Sequence, residues 1–341
     1  MKILVTGASS LIGQHLVNRL QQRGDEITVV QRGLSGLEGV TELRCDLSAN
    51  KSKTTDLQTL SVEDTLARGM QGCDAVVHLA AKVSVSGRWE AFEALNINGT
   101  RRVIQAAQAC GVSRFIHISS PSVAHAGRSL VGAGSAEAAP EHVRGHYARS
   151  KALGEQIALS ANGDRMQVVS LRPHLVWGPG DQQLVQRIVD RAKAGRLQLV
   201  GSGQAFIDTT FIDNAASAIV AGIDNIERAA GQALVISNGQ PRTVNEIIYR
   251  ILKAADIDKA LRHVPTPIAI AAGMTIEKIW QALDRQDDPP MTRFLAEQLA
   301  TAHWFDQRKT RELLNWQPEV GLDEGFHRLT QSFAVRRCVS D

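Results

Sequence analysis

Tyrosine is almost missing from this 341-residue chain: there are two, Tyr147 and Tyr249, and all aromatics together make up 4% of the residues. Any chemistry that needs a phenol must use one of those two positions. Cysteine is scarce as well. Its four copies, Cys45, Cys73, Cys110 and Cys338, show no Cys-x-x-Cys spacing. That excludes a disulfide framework and a thiolate zinc site, and it fits reduced thiols in a cytoplasm. Runs of like charge are absent. With 38 basic and 35 acidic residues the net charge is only +3, so no nucleic-acid partner is expected. Long hydrophobic runs are also lacking. The opening Ile3-Leu4-Val5 is too short for a signal peptide, and the apolar stretch 267–276 falls short of the roughly 20 residues that span a bilayer.

What is present is an ordinary globular composition, 43% hydrophobic and 21% charged. Short β-rich runs at 3–6, 27–31, 42–45, 75–79, 114–119 and 167–171 alternate with helical patterns at 13–23, 91–110 and 145–161. Such alternation predicts an α/β chain with a Rossmann-type doubly wound parallel sheet. After Gly178-Pro179-Gly180 the texture changes to shorter elements, with helical patterns at 213–227, 244–255 and 267–283. The expected organisation is a dinucleotide-binding domain over 1–177, to which a segment near 205–240 returns, and a smaller C-terminal substrate-binding lobe in 178–341.

The segment Val5-Thr6-Gly7-Ala8-Ser9-Ser10-Leu11-Ile12-Gly13 leaves a strand and enters a helix. Small residues there let a pyrophosphate approach the amides at the helix N-terminus. Gly7, Ser9, Ser10, Leu11, Ile12 and Gly13 are therefore expected to bind cofactor, and Ser10 adds a hydroxyl near the phosphates. The second strand ends in Gln31-Arg32, without the carboxylate that would accept a ribose 2′-hydroxyl. A guanidinium there attracts a 2′-phosphate, so Arg32 points to NADP(H) in preference to NAD(H). Asp46 follows the third strand and can reach the adenine edge.

Tyr147 and Lys151 are four residues apart, on one face of a helix, and lie downstream of Ser120 at a strand end. A phenol with a pKa of ~10 needs its surroundings tuned to exchange protons near neutrality, and Lys151 supplies a cation. Tyr249 sits in Ile247-Ile248-Tyr249-Arg250-Ile251-Leu252 and reads as a packing residue.

Together, Thr6-Gly7 through Gly13, Asp46, His78-Leu79-Ala80-Ala81, Asn96-Ile97-Asn98-Gly99-Thr100, Ser119-Ser120, Tyr147 through Lys151 and Arg172-Pro173 resemble the extended short-chain dehydrogenase/reductase superfamily. The resemblance implies that Tyr147 is the general acid/base and that Ser120 hydrogen-bonds the reacting oxygen. Lys151 would hold the nicotinamide ribose and tune Tyr147, while Asn96 would give structural support. It also extends the expected cofactor contacts to Leu47, Leu79, Ala80, Ala81, Pro173 and Leu175, besides Tyr147 and Lys151, and implies a homodimer. Pro121 and Ser122 stand where dehydratases of the superfamily carry an Asp-Glu pair, and Phe206 and Ile207 where epimerases carry an arginine. The remaining likeness is to the 3β-hydroxysteroid dehydrogenase branch, including the bacterial reductases of 2-alkyl-3-oxoalkanoic acids.

The implied activity is hydride transfer between an apolar ketone, of 3-oxo acid or steroid type, and a secondary alcohol. NAD-dependent sterol dehydrogenation, sugar-nucleotide epimerisation and a non-catalytic dinucleotide sensor are the alternatives. Four further expectations complete the reading. Stretch 267–276 packs on the substrate lobe or meets a membrane peripherally, and His142 and His146 hold no metal. Trp280, Trp304 and Trp316 pack, and 124–140 is a mobile loop over the substrate.

Overall fold

The computed structural model describes residues 1–49, 60–84, 86–124, 127–283, 285, 287 and 289–340. The polar composition of 48–61 reads as a surface loop, and most of that stretch lies outside the described residues.

Seven strands build the main sheet: β1 (Lys2–Thr6), β2 (Glu26–Gln31), β3 (Thr41–Arg44), β4 (Ala75–His78), β5 (Arg114–Ile118), β6 (Gln167–Pro173) and β7 (Ala233–Ile236). Their order is β7-β6-β5-β4-β1-β2-β3, and every neighbouring pair is parallel. Parallel strands covered on both faces are buried along nearly their whole length. The four residues of β4 are accordingly all buried, as are Phe115 to Ile118 of β5. The order reverses direction beside β1, where the crevice at the strand ends accepts a dinucleotide in folds of this kind.

β7 comes from the segment near 205–240. The helix Ile212–Asp224 just before it buries Ala218, Ile219 and Ile223 in the same core as Val17 and Leu20 of the helix Leu11–Gln22. A second core forms around Trp177, Val189, Phe211, Ile247, Ile251 and Phe326. It is roofed by the helices Val185–Lys193 and Val244–Ala254.

Three expectations change. The stretch 124–140 contains the strand Leu130–Ala133, which pairs in parallel with His303–Phe305, and Ser135 Oγ accepts the Val235 amide at 2.9 Å. It is thus tied to both sheets. Tyr249 is 58% exposed, because the buried face of its helix falls on Ile247, Ile248, Ile251 and Leu252. The region 91–110 is helical, but with a π-helical turn at Glu93–Gly99 between Trp89–Phe92 and Thr100–Ala109.

The helix Thr266–Ala282 packs closely on one side: a methyl at Gly273 would come within 2.5 Å of the Thr292 backbone. On its other side Ile268, Met274 and Ile279 are exposed. Among the described residues no helix is long and apolar enough to cross a membrane.

Candidate active site

The glycine loop is shaped by close backbone approach. Gly7 has φ +74°, and a Cβ there would sit 2.8 Å from the Ala80 amide nitrogen. A Cβ on Gly13 would lie 2.7 Å from both the Cα of Ala8 and the carbonyl of Gly7. Only glycine lets the turn close so tightly over β1 and β4. Ser10 caps the helix that follows: its Oγ accepts the Gly13 amide at 3.1 Å and donates to the Gly7 carbonyl at 2.9 Å. The hydroxyl expected near the phosphates is therefore engaged in holding the loop. Ser9 and Ser10 are exposed at the turn, and Leu11 and Ile12 are partly so.

Gln31 is buried and pinned, its Oε1 accepting the Ser9 amide at 3.0 Å and its Nε2 donating to the Gly33 carbonyl at 3.1 Å. Arg32, one residue on, is exposed, with no side-chain hydrogen bond or ion pair among the described residues. Asp46 accepts both the amide and the hydroxyl of Ser48, at 2.9 and 2.6 Å. Leu47 is a core residue, packed on Gly99. Leu79, Ala80 and Ala81 are half-buried at the end of β4.

A relay of hydroxyls and one imidazole runs beneath this loop. The Ala80 amide donates to Thr6 Oγ1 at 3.2 Å, and Thr6 Oγ1 lies 2.8 Å from His78 Nδ1. On the other side His78 Nε2 lies 3.0 Å from Thr100 Oγ1, which donates to the Asn96 carbonyl at 2.8 Å. Since Thr100 spends its proton on Asn96, the network assigns the hydrogen to Nε2 and leaves Nδ1 to accept from Thr6. Burial holds the His78 pKa down at about 3, which keeps the ring neutral for both bonds.

Asn96 sits in the π turn. Its Oδ1 accepts the Lys82 amide at 2.7 Å, and its Nδ2 donates to the Lys82 carbonyl and to Ser150 Oγ, at 3.1 and 2.9 Å. Ser150 in turn donates to the carbonyl of Tyr147 at 2.9 Å. Asn96 thereby fixes the helix His146–Ser160 that carries Tyr147 and Lys151. Closeness is again set by a glycine: a Cβ at Gly154 would lie 2.5 Å from the Asn96 carbonyl. The far side of this helix is clamped to β6 by the buried ion pair of Glu155 with Arg172, whose Nε donates at 2.8 Å.

Tyr147 and Ser120 come together, and Lys151 lies one helical turn on from Tyr147 in the same helix. The Tyr147 hydroxyl hydrogen-bonds Ser120. Burial raises the phenol's pKa above its ordinary value, and the Ser120 bond pulls it partly back. A cation was expected to lower it, but the protein's own strongest effect is desolvation, which keeps Tyr147 protonated at neutral pH. Lys151 is buried, and its Nζ donates to the Ile118 carbonyl at 2.6 Å. Burial brings its pKa down to about 8, with Glu155 opposing that shift. Ser122, which the sequence reading did not place in the site, donates its hydroxyl to Ser120 Oγ at 3.0 Å.

Tyr147 and Ser120 line a cavity of about 210 Å³ together with Pro173, His174, Leu175, Phe294 and others. Four residues, Leu175, Leu295, Gln298 and His303, belong both to this cavity and to an apolar chamber of about 510 Å³. Leu175 has φ +43°, a left-handed conformation that costs a leucine energy and turns it onto the shared wall. Ile207, where an epimerase arginine was looked for, lines the chamber, whereas Phe206 is exposed. A third cavity, of about 440 Å³, borders Tyr147 on its other side and includes Trp280, so this tryptophan is a cavity wall more than a packing residue. Sequence reasoning missed His303, Gln298 and Leu295, because they come from a separate stretch of chain without a motif.

His142 is exposed beside Glu141, and His146 Nδ1 lies 3.1 Å from the Gly87 carbonyl. No group of three or more His, Cys, Asp and Glu side chains among the described residues could hold a metal.

Known proteins resemble this chain in fold and in sequence. The chain is similar to MoeE5 in complex with UDP-glucuronic acid and NAD, with a TM-score of 0.73, 22% identity and coverage of 99% of this chain and 100% of that one. Among curated proteins it is 36% identical to a 2-alkyl-3-oxoalkanoate reductase of Stenotrophomonas maltophilia, over 98% of this chain and all of the relative. It is 33% identical to a protein of the same name from Shewanella oneidensis, over 96% of this chain and 85% of that one. The model of the 3-beta hydroxysteroid dehydrogenase/isomerase family matches residues 4–266. The chain belongs to that family, within the extended short-chain dehydrogenases/reductases, and is an NAD(P)-dependent oxidoreductase.

Proposed function

We propose that this enzyme is an NADP(H)-dependent reductase of apolar ketones of the 3-oxo acid type, interconverting ketone and secondary alcohol. The observation that carries the reading is the wall shared between two spaces: the cavity that holds the Tyr147 and Ser120 hydroxyls adjoins a large apolar chamber. A carbonyl can meet the hydroxyls while its alkyl chain is sheltered from water. The names of the two bacterial relatives support the same substrate class.

In reduction Tyr147 gives its proton to the carbonyl oxygen, and in oxidation it takes the proton back. Its raised pKa supports the donor role, since the phenol carries its proton at neutral pH. Ser120 donates to the same oxygen and is itself oriented by Ser122. Lys151, held by the Ile118 carbonyl, supplies a buried positive charge one helical turn from Tyr147. The Gly7 to Gly13 turn fits a pyrophosphate, because its main chain is free of any Cβ where it closes. Arg32 would take the 2′-phosphate, since Gln31 is bound to the loop and no carboxylate competes there. The nicotinamide, when bound, supplies or accepts the hydride.

A screen of 3-oxo acids, 3β-hydroxysteroids and UDP-sugars with both cofactors tests the reading. Turnover of 3-oxo acids with NADPH is expected. Tyr147→Phe should lower kcat about 10²–10⁴-fold with NADPH affinity nearly unchanged. The preference for NADPH over NADH should collapse in Arg32→Ala. Turnover of UDP-sugars alone would overturn the substrate class, and equal affinity of the parent for both cofactors would overturn the role of Arg32.

A further inference from the structure

The strand His303–Phe305 has two sides. His303 and Phe305 face the cavity of Tyr147 and Ser120, while Trp304 between them projects the other way, as successive side chains on a strand do. Trp304 borders a separate cavity of about 420 Å³, whose described lining includes neither Tyr147 nor Ser120. Phe305 belongs to both linings and is the wall between the two spaces. Ketone reduction gives this outer cavity no task.

Two hydrogen-bond donors at the outer cavity lack an acceptor. Gln307 and Arg311 both line it and stand one helical turn apart, the Arg311 amide donating to the Gln307 carbonyl at 2.9 Å. Gln307 is only 5% exposed. Its Oε1 accepts the Ser237 amide at 3.3 Å, which fixes the side-chain amide and leaves Nε2 as a buried donor without a partner among the described residues. Nε of Arg311 is likewise buried and unpartnered, and no hydrogen bond or ion pair engages the guanidinium among the described residues. The group lies against Gly239, where a Cβ would come within 2.7 Å of Nη2. Close backbone contact therefore sets its place. Arg311 as a whole is half-buried, so its fork can meet a ligand that enters from the cavity. Buried donors without acceptors cost free energy, and a ligand oxygen would remove that cost.

The charge balance narrows the ligand. Asp306 and Arg308 also line the cavity, but they satisfy each other: Arg308 Nε donates to the carboxylate at 3.0 Å and Nη2 at 2.6 Å. Arg311 is left as the one uncompensated charge among the described lining residues. A single guanidinium suits a monoanion, and its planar fork matches a carboxylate. A phosphate dianion would bring a second negative charge toward Asp306 with no second free cation to meet it. The remaining walls include the rings of Trp304, Pro241 and Phe305. Flat walls of this kind favour an aromatic body, stacked or edge-on.

We infer that this outer cavity is a binding site for a planar aromatic monocarboxylic acid, its carboxylate on Arg311 and Gln307 and its ring against Trp304 and Pro241. The site lies outside the catalytic cavity, so it holds or fails separately from the ketone-reductase reading.

Calorimetric titration of the full chain with benzoate, benzyl alcohol and inorganic phosphate tests the inference. Benzoate is expected to bind at least about tenfold more tightly than benzyl alcohol, and more tightly than phosphate. Arg311→Met should weaken benzoate at least about tenfold and leave benzyl alcohol within about twofold. Trp304→Leu keeps the charge and removes the flat wall, so it should weaken benzoate and benzyl alcohol alike, by about threefold or more, and it serves if Arg311→Met does not fold. Equal affinity for benzoate and benzyl alcohol overturns the site, as does benzoate binding unchanged in the folded variants. Phosphate binding as tight as that of benzoate overturns the aromatic acid as its ligand.

Discussion

Around the glycine loop the main chain itself is the constraint, whereas around the chamber it is side-chain volume. Methyl groups at Gly7, Gly13 or Gly154 would all collide with backbone atoms, at 2.8, 2.7 and 2.5 Å. Backbone cannot move aside without shifting β1, β4 or the helix of Tyr147. The chamber walls are aliphatic side chains from several separate elements, and one of them can change size while the main chain stays in place. The nucleotide half thus has little freedom to vary, and the chamber half holds the freedom to choose a ketone.

The sharpest way to break this contrast is Gly13→Ala. It should weaken NADPH binding at least about tenfold and cost about 1–3 kcal/mol of stability through overpacking, read by cofactor titration and urea unfolding. Wild-type values in both would mean that the loop has slack. Leu295→Trp should act in the opposite way, leaving NADPH affinity intact while narrowing the passage between cavity and chamber. Its kcat/KM should fall on the order of tenfold for long-chain ketones and little for short ones. An equal loss for both chain lengths would place the long chain elsewhere.

The smallest effect is a pH limb. Lys151 is charged below its pKa of about 8 and loses its proton as pH rises through that value. The reduction rate should therefore decline above about pH 8. In Lys151→Arg, whose guanidinium stays charged, that limb should vanish from the pH–rate profile even if the overall rate drops. A limb that persists near the same pH belongs to another group.

Periodicity made the nucleotide half readable. The six expected strands all exist, and their observed bounds differ by a residue or two, as at Gln167–Pro173. The pairing of Tyr147 with Ser120 was also readable, because a strand end precedes the helix that carries Tyr147 and, one turn on, Lys151. Other features were hidden for physical reasons. Leu130–Ala133 looks irregular because its partner His303–Phe305 lies far along the chain, so no local pattern announces the pairing. Tyr249 lies among apolar residues, yet it falls on the solvent side of a helix whose other face is fully used. The chamber could not be foreseen, since Arg191, Ile248, Met291 and His303 share no motif and meet only after folding.

The π turn at Glu93–Gly99 bears on how this protein can change over generations. Such a turn holds one residue more than an α-helical path would need. Substitutions along it are local events. Deleting a single residue there would instead let the segment relax to α-helix and re-aim the side chains inside the turn, while the flanking helices keep their relative phase. Asn96 would then swing away from Lys82 and Ser150, and the support of the Tyr147 helix would go with it. Apart from Asn96, segment 93–99 should therefore accept changes of side chain more readily than a change of length, a form of inheritance in which spacing is copied as faithfully as residue identity.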